Sequence, residues 1–197
     1  MATGSYHHGN LRAALLERAE EVLVKDGAVG LSLRGLARDL GVSHAAPTRH
    51  FRDRQDLLDT LVTEGFGDLN HRLREAAGSA GPVDERLTAL GRAYVVFATE
   101  RSALLEIMFA AKKEEGAGED LRRLAHVSLE IAAGLIGEAQ QTGAVRPGDP
   151  ARLAQVAFSA VHGLAVLAVG GLLDGTPVDE ATDLTLNVLL AGLGAAP

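Results

Sequence analysis

Apolar residues recur along this chain at helical spacing, and no pair of alternating strands can be read in it. Leu11, Leu15, Ala19, Val22 and Leu23 fall on one stripe and predict a helix over about 10–25, with Asn10 as N-cap and Gly27 as the stop. Leu33, Leu36, Ala37 and Leu40 give the i, i+3, i+4, i+7 pattern of a second, short helix between Ser32 as N-cap and Gly41 as C-cap. A third short helix is expected over 44–51, capped by Ser43, with Pro47 in its first turn where few intrahelical bonds are lost. Leu58, Leu61, Val62, Leu69 and Leu73 then mark a long helix over about 55–77, entered through Asp53.

The stretch GSAGP at 78–82 is the clearest boundary. Beyond it helices are expected over 83–99, 102–111, 120–141, 151–173 and 177–193. A charged loop lies at 113–119 and a turn rich in Gly and Pro at 142–150. The prediction is an all-α chain of about nine helices. A three-helix head over 1–54 is followed by a larger body over 55–197, and the helix at 55–77 connects the two.

Composition narrows the chemistry. The 197 residues include no cysteine, which excludes a disulfide scaffold, a thiolate metal site and a cysteine nucleophile. The absence also fits a reducing cytosol. The first residues lack the basic, apolar, small order of a secretory signal. The net charge is −7, unevenly spread. Residues 1–54 hold eight Lys/Arg against six Asp/Glu, and the remainder eleven against twenty, so contact with a polyanion is expected at the head. The patterns GxSxG, HExxH, GxGxxG and the phosphate loop are absent, and no enzyme activity or cofactor is expected.

Residues 32–51, SLRGLARDLGVSHAAPTRHF, hold two short helical patterns joined by a turn with Gly41. That is the layout of a helix-turn-helix, whose second helix enters the DNA major groove. Leu36, Ala37, Leu40, Val42 and Phe51 can bury the inner faces, leaving His44, Ala45, Thr48 and Arg49 outward. His44, Thr48 and Arg49 can hydrogen-bond base edges or phosphates, and Arg34, Arg52 and Arg54 flank them with positive charge. The DNA-binding set expected from sequence is Ser32, Arg34, Ser43, His44, Ala45, Thr48, Arg49, His50 and Arg54.

Residues 5–74 resemble the DNA-binding domain of the tetracycline-repressor (TetR/AcrR) family of bacterial regulators. The likeness runs through Leu15, Ala19, Gly27, Leu31, Ser32, Leu36, Ala37, Leu40, Gly41, Val42, Ser43, His50, Phe51, Arg54, Leu57 and Leu58. The opening YHHGNLR at 6–12 and the Val161-His162-Gly163 triplet resemble a subgroup with Trp-His-Gly in its effector domain. Thr48 stands where the family usually has a phosphate-binding Tyr, Arg54 where it has Lys, and Val161 where the subgroup has Trp. The resemblance implies a cytoplasmic homodimer that binds a double-stranded DNA operator and is released from it by a small-molecule effector.

Tyr94, Phe97, Met108, Phe109 and Phe158 are spaced like core. Core and cavity wall both want apolar side chains, so spacing alone leaves both readings open. The candidate cavity lining is Leu61, Phe66, Tyr94, Phe97, Met108, Phe109, Ile131, Leu135, Phe158 and His162. This set carries almost no fixed charge and predicts a small, apolar effector. His7 and His8 are adjacent but lack a third ligand nearby, so no metal is expected. Residues 153–173 are free of charge, yet Gln155, Ser159, His162 and Gly163 interrupt them. The expectation is a helix buried in a core and in a dimer interface rather than in a membrane. The rival reading is an all-α small-molecule-binding or enzymatic module without DNA binding.

Overall fold

The structure is a computed structural model, and it describes residues 11–113 and 118–194. Asn10, the paired histidines His7 and His8, most of the YHHGNLR motif and the centre of the 113–119 loop lie outside the described residues. Among the described residues there are no strands. The eight α-helices are α1 (Leu11–Asp26), α2 (Leu33–Asp39), α3 (Arg54–Ala77), α4 (Val83–Glu100), α5 (Ser102–Lys113), α6 (Glu119–Gln141), α7 (Pro150–Val169) and α8 (Val178–Leu193). Single 3₁₀ turns occupy Ala28–Gly30 and Pro47–Arg49. The all-α expectation holds.

The described residues form two compact units, 11–65 with 103–113 and 66–102 with 118–194. The cut falls inside α3, which contributes its first half to one unit and its second half to the other.

In the first unit the stripes read from sequence supply most of the core, although Leu11, Leu33, Leu40 and Leu58 on them are only half-buried. Leu15, Ala19 and Leu23 of α1, Leu36 and Ala37 of α2, and Phe51, Leu57 and Leu61 are all buried. Burying side chains of this size contributes about 1.5–3 kcal/mol each. Helix α2 begins where Ser32 Oγ accepts the Gly35 N–H at 3.1 Å. It ends at Gly41, whose φ of 66° only glycine adopts without strain. Helix α3 is opened by Asp53, whose Oδ1 accepts the Asp56 N–H at 2.9 Å. Leu104 and Met108 of α5 complete this core.

Residues 44–51 depart from the expected third α-helix. They form a turn followed by the 3₁₀ segment Pro47–Arg49. Proline has no N–H to donate to Ser43 O four residues back. Two of the bonds made instead close after three residues, Ala46 N–H to Ser43 O at 2.9 Å and His50 N–H to Pro47 O at 2.9 Å, and Phe51 N–H adds one four-residue bond to Pro47 O at 2.9 Å.

In the second unit α7 packs against α4, α6 and α8, and α4 also against α6 and α8. Ile136, Ala139, Val145, Ala154 and Leu193 form the core at one end. Asp149 caps α7 by accepting the Ala151 N–H at 2.9 Å. Helix α7 stops at Gly170, earlier than the 173 expected. Within this single chain it is also far less covered than expected. It is long and apolar enough to cross a membrane, yet only 22% of its most apolar stretch is buried. Val156, Val166 and Val169 on α7 and Leu184 and Val188 on α8 are each at least half exposed.

Candidate DNA-reading surface and apolar cavity

The head presents a continuous polar segment. Ser43, His44, Ala45, Thr48, Arg49 and His50 are exposed, while Pro47 and Phe51 are buried beneath them. Of the residues expected to face inward, Leu36, Ala37 and Phe51 are buried while Leu40 and Val42 are half-buried, and the backbone is a turn and not a full helix. Arg34 is exposed on α2 beside this segment. A polar cleft of about 400 Å³ separates α1 from α2 and is lined by Arg18, Lys25, Arg34, Arg38 and His44, with Asp26 and Asp39. Arg18 donates to Asp39 from Nε at 3.1 Å and from Nη2 at 2.9 Å, and it also pairs with Glu21. The Arg18 hydrogen bonds hold the Asp39 carboxyl below its ordinary range.

Three of the candidate contacts are engaged within the head. Thr48 Oγ1 donates to Ala45 O at 2.9 Å, so its remaining capacity is as an acceptor. Ser32 Oγ is the cap of α2. Arg54 donates from Nε to Leu31 O at 3.1 Å and from Nη2 to Ala28 O at 2.5 Å. It therefore fastens the α1–α2 connection to the start of α3. The flanking Arg52 donates to Asp56 Oδ1 at 2.9 Å, and its charge is partly answered there.

The second unit holds an apolar cavity of about 80 Å³ between α4, α6, α7 and α8. Leu90, Tyr94, Ala157, Phe158, Val161, Leu186 and Leu190 are among the residues that line it, and no charged side chain does. Gly91 permits the close approach of α4 and α8, since a Cβ there would collide with Leu186. Tyr94 is nearly fully buried, and burial pushes its phenol well above its ordinary value. Its hydroxyl lies 2.8 Å from His162 Nδ1, and the direction of that bond depends on the His162 tautomer. Phe158 meets Tyr94 edge-on at 5.5 Å and stacks on His162 at 5.2 Å, so the three rings form one cluster.

Of the lining residues expected from sequence, Tyr94 and Phe158 border this cavity, and His162 does not but is hydrogen-bonded to Tyr94. Leu61 and Met108 are buried in the first unit, where Phe109 is half-buried. Phe66 and Leu135 are buried in the second unit away from this lining, and Ile131 is half-buried. Phe97 is sealed, with the guanidinium groups of Arg72 and Arg101 5.5 and 5.7 Å from its ring centre. The pattern reading missed Leu186, Leu190 and Ser128, which line the cavity. It also missed Asn70, buried on α3. A signal for Asn70 existed: it sits at i+4 from Phe66 and i−3 from Leu73, a polar residue on an otherwise buried stripe.

Fold and geometry together define an all-helical protein with a compact α1–α2 head and a helical body built around an apolar cavity. Residues 87–192 match the family described as Tetracyclin repressor-like, C-terminal domain, which is more than half of the chain, and the chain belongs to that family. A protein of unknown function from Rhodococcus sp. RHA1 is 46% identical over 97% of this chain and 99% of its own, with a TM-score of 0.88. PfmR, a TetR family transcriptional regulator from Thermus thermophilus, is 18% identical and shares the fold with a TM-score of 0.75, over 93% of this chain and 99% of its own. HTH-type transcriptional regulator Mb1846 of Mycobacterium bovis is 28% identical over 147 residues, 70% of this chain. The match spans 63% of that relative's length.

Proposed function

We propose that the protein is a ligand-responsive transcription regulator of the cytoplasm, acting as a repressor. A homodimer binds a near-palindromic operator through residues 1–54, and a small apolar effector held within residues 55–197 releases it. The observation that carries this reading is the pairing, in one chain of a repressor-like family, of an exposed polar 43–50 segment with an uncharged cavity. The relatives named as transcriptional regulators support the same class.

In this reading Ser43, His44, Ala45, Thr48, Arg49 and His50 face the major groove and Arg34 meets phosphate. Ser32 and Arg54 serve the surface by shaping it. The exposed apolar faces of α7 and α8 are covered by a second copy, which brings the two heads into register with a dyad. Helix α3 belongs to both units and offers a covalent path from cavity to head.

Sequencing of genomic fragments retained by the full-length protein tests the reading. The expected result is a short motif with dyad symmetry. Its affinity should fall on the order of 10³-fold or more between about 50 and 200 mM salt, as for about 6–10 phosphate contacts. Retention of no fragment above background, at low salt, contradicts it.

A further inference from the structure

Asn70 and Ser128 form a hydrogen-bonded pair at the cavity wall. Asn70 is 1% exposed on α3. Its Nδ2 donates to the backbone carbonyl of Leu124 on α6 at 2.9 Å. A carbonyl oxygen only accepts, so this bond fixes the amide orientation and turns Oδ1 toward Ser128. Ser128 Oγ lies 2.7 Å from Oδ1, and because Oδ1 is also an acceptor, the serine hydroxyl must donate. Its hydrogen is thereby spent. Ser128 lines the cavity, and what it can offer a ligand is lone pairs. Turning the hydroxyl to serve an acceptor on the ligand would strand Asn70 Oδ1 without a partner in the protein interior, a costly exchange. The Tyr94–His162 bond imposes no such direction, because either atom can carry the proton.

We propose that the cavity selects neutral, slender aliphatic molecules that bring a hydrogen-bond donor, an alcohol above all, and that Asn70 is the positioning residue that sets this preference. The proposal rests on the reading of the cavity as the effector site. The rest of the wall is hydrocarbon and uncharged, which disfavours a carboxylate or an ammonium ion. The volume of about 80 Å³ takes a short aliphatic chain and leaves no room for a fused ring system.

The test compares 1-butanol with its isomer 1-methoxypropane, which has the same atoms but no donor and, like the alcohol, is small enough for the cavity. Binding to the full-length protein is followed by NMR of methyl-labelled Leu and Val, with Val161, Leu186 and Leu190 as reporters. The wild type should bind the alcohol about five-fold or more tightly than the ether, the margin set by one unmet buried polar group. S128A should keep ether binding and lose the advantage of the alcohol. N70L frees the Ser128 hydrogen and should bring the ratio toward one or invert it. Equal affinity of the wild type for the two isomers, with the reporters shifting, overturns the donor preference and leaves the cavity as an effector site. An unchanged preference in S128A, which removes no buried volume of consequence, overturns the role of the pair. Reporters unmoved by both probes up to their solubility overturn the cavity reading together with the proposal.

Discussion

Arg54, the first residue of α3, donates from Nε to the carbonyl oxygen of Leu31, twenty-three positions earlier, across 3.1 Å. The same guanidinium reaches Ala28 O, so one side chain ties both ends of the 3₁₀ turn between α1 and α2 to α3. Family resemblance implies a phosphate-binding Lys at this position, and an ammonium could not make both bonds in a fixed fork. Two of the five guanidinium N–H groups thus hold the head together.

Replacing Arg54 by Ala should lower the stability of the head by about 1–2 kcal/mol, since two charge-assisted bonds to carbonyls are lost from a partly exposed site. The slope of log affinity against log salt should change little. R34A should instead flatten that slope by about 0.9, the value for one phosphate contact. Urea unfolding monitored at head residues, with duplex titrations at four salt concentrations, separates the two. A full unit of slope lost in R54A would return Arg54 to the phosphate.

Thr48 and His44 should read bases. Because the Thr48 hydroxyl already donates to Ala45 O, it meets DNA as an acceptor, and its partner must be an amino group of adenine or cytosine in the major groove. T48V and H44A should each cost about 1–3 kcal/mol on the selected site and relax one base position in each half-site. Equal losses on selected and random duplexes would count against base reading.

Much of this was legible in the sequence. The stripes at 11–23, 33–40 and 58–73 identify α1, α2 and α3 because burial on one face dominates local preference there. Residues 44–51 were harder: the spacing is helical, but Pro47 removes the i−4 bond that would settle the first turn. The cavity wall could not be separated from core, since Leu135 and Leu186 carry the same chemistry and differ in what stands opposite. Arg54 illustrates the other limit, because a charge in the sequence does not say whether DNA or a carbonyl 23 residues away will claim it.

The α7–α8 face supplies the dimer in this account. Val188 is 65% exposed on α8 and Val169 is 50% exposed at the end of α7. Covering such side chains contributes about 1.5–3 kcal/mol each, so V188D should weaken self-association by at least about ten-fold while leaving helicity unchanged. Sedimentation velocity reads the first and far-ultraviolet circular dichroism the second. Undiminished dimer in both V188D and V169D would place the interface elsewhere.

Acid should loosen the head before the body. The hydrogen bonds from Arg18 hold Asp39 below its ordinary value of 3.8, and those from Arg52 do the same for Asp56. A carboxylate whose folded value is depressed contributes stability that is complete above its unfolded value. That contribution fades as the pH falls through the folded one. Amide exchange in α1 and α2 should therefore accelerate below about pH 4, and D39N should remove part of that dependence. Identical acid profiles for wild type and D39N would show that the Arg18–Asp39 pair carries none of it.

The most direct test of ligand-responsive DNA binding is the affinity of a cavity ligand measured with and without saturating operator. With the selected duplex in hand, 1-butanol is titrated against free and DNA-bound protein and followed at the methyl groups of Val161 and Leu186. Linkage requires that a ligand which weakens operator binding be weakened equally by operator, and coupling of this type is about 1–3 kcal/mol, or roughly 5–150-fold. Ligand affinity should fall at least about five-fold on DNA. The same affinity in both states would contradict the central claim that the cavity governs the head.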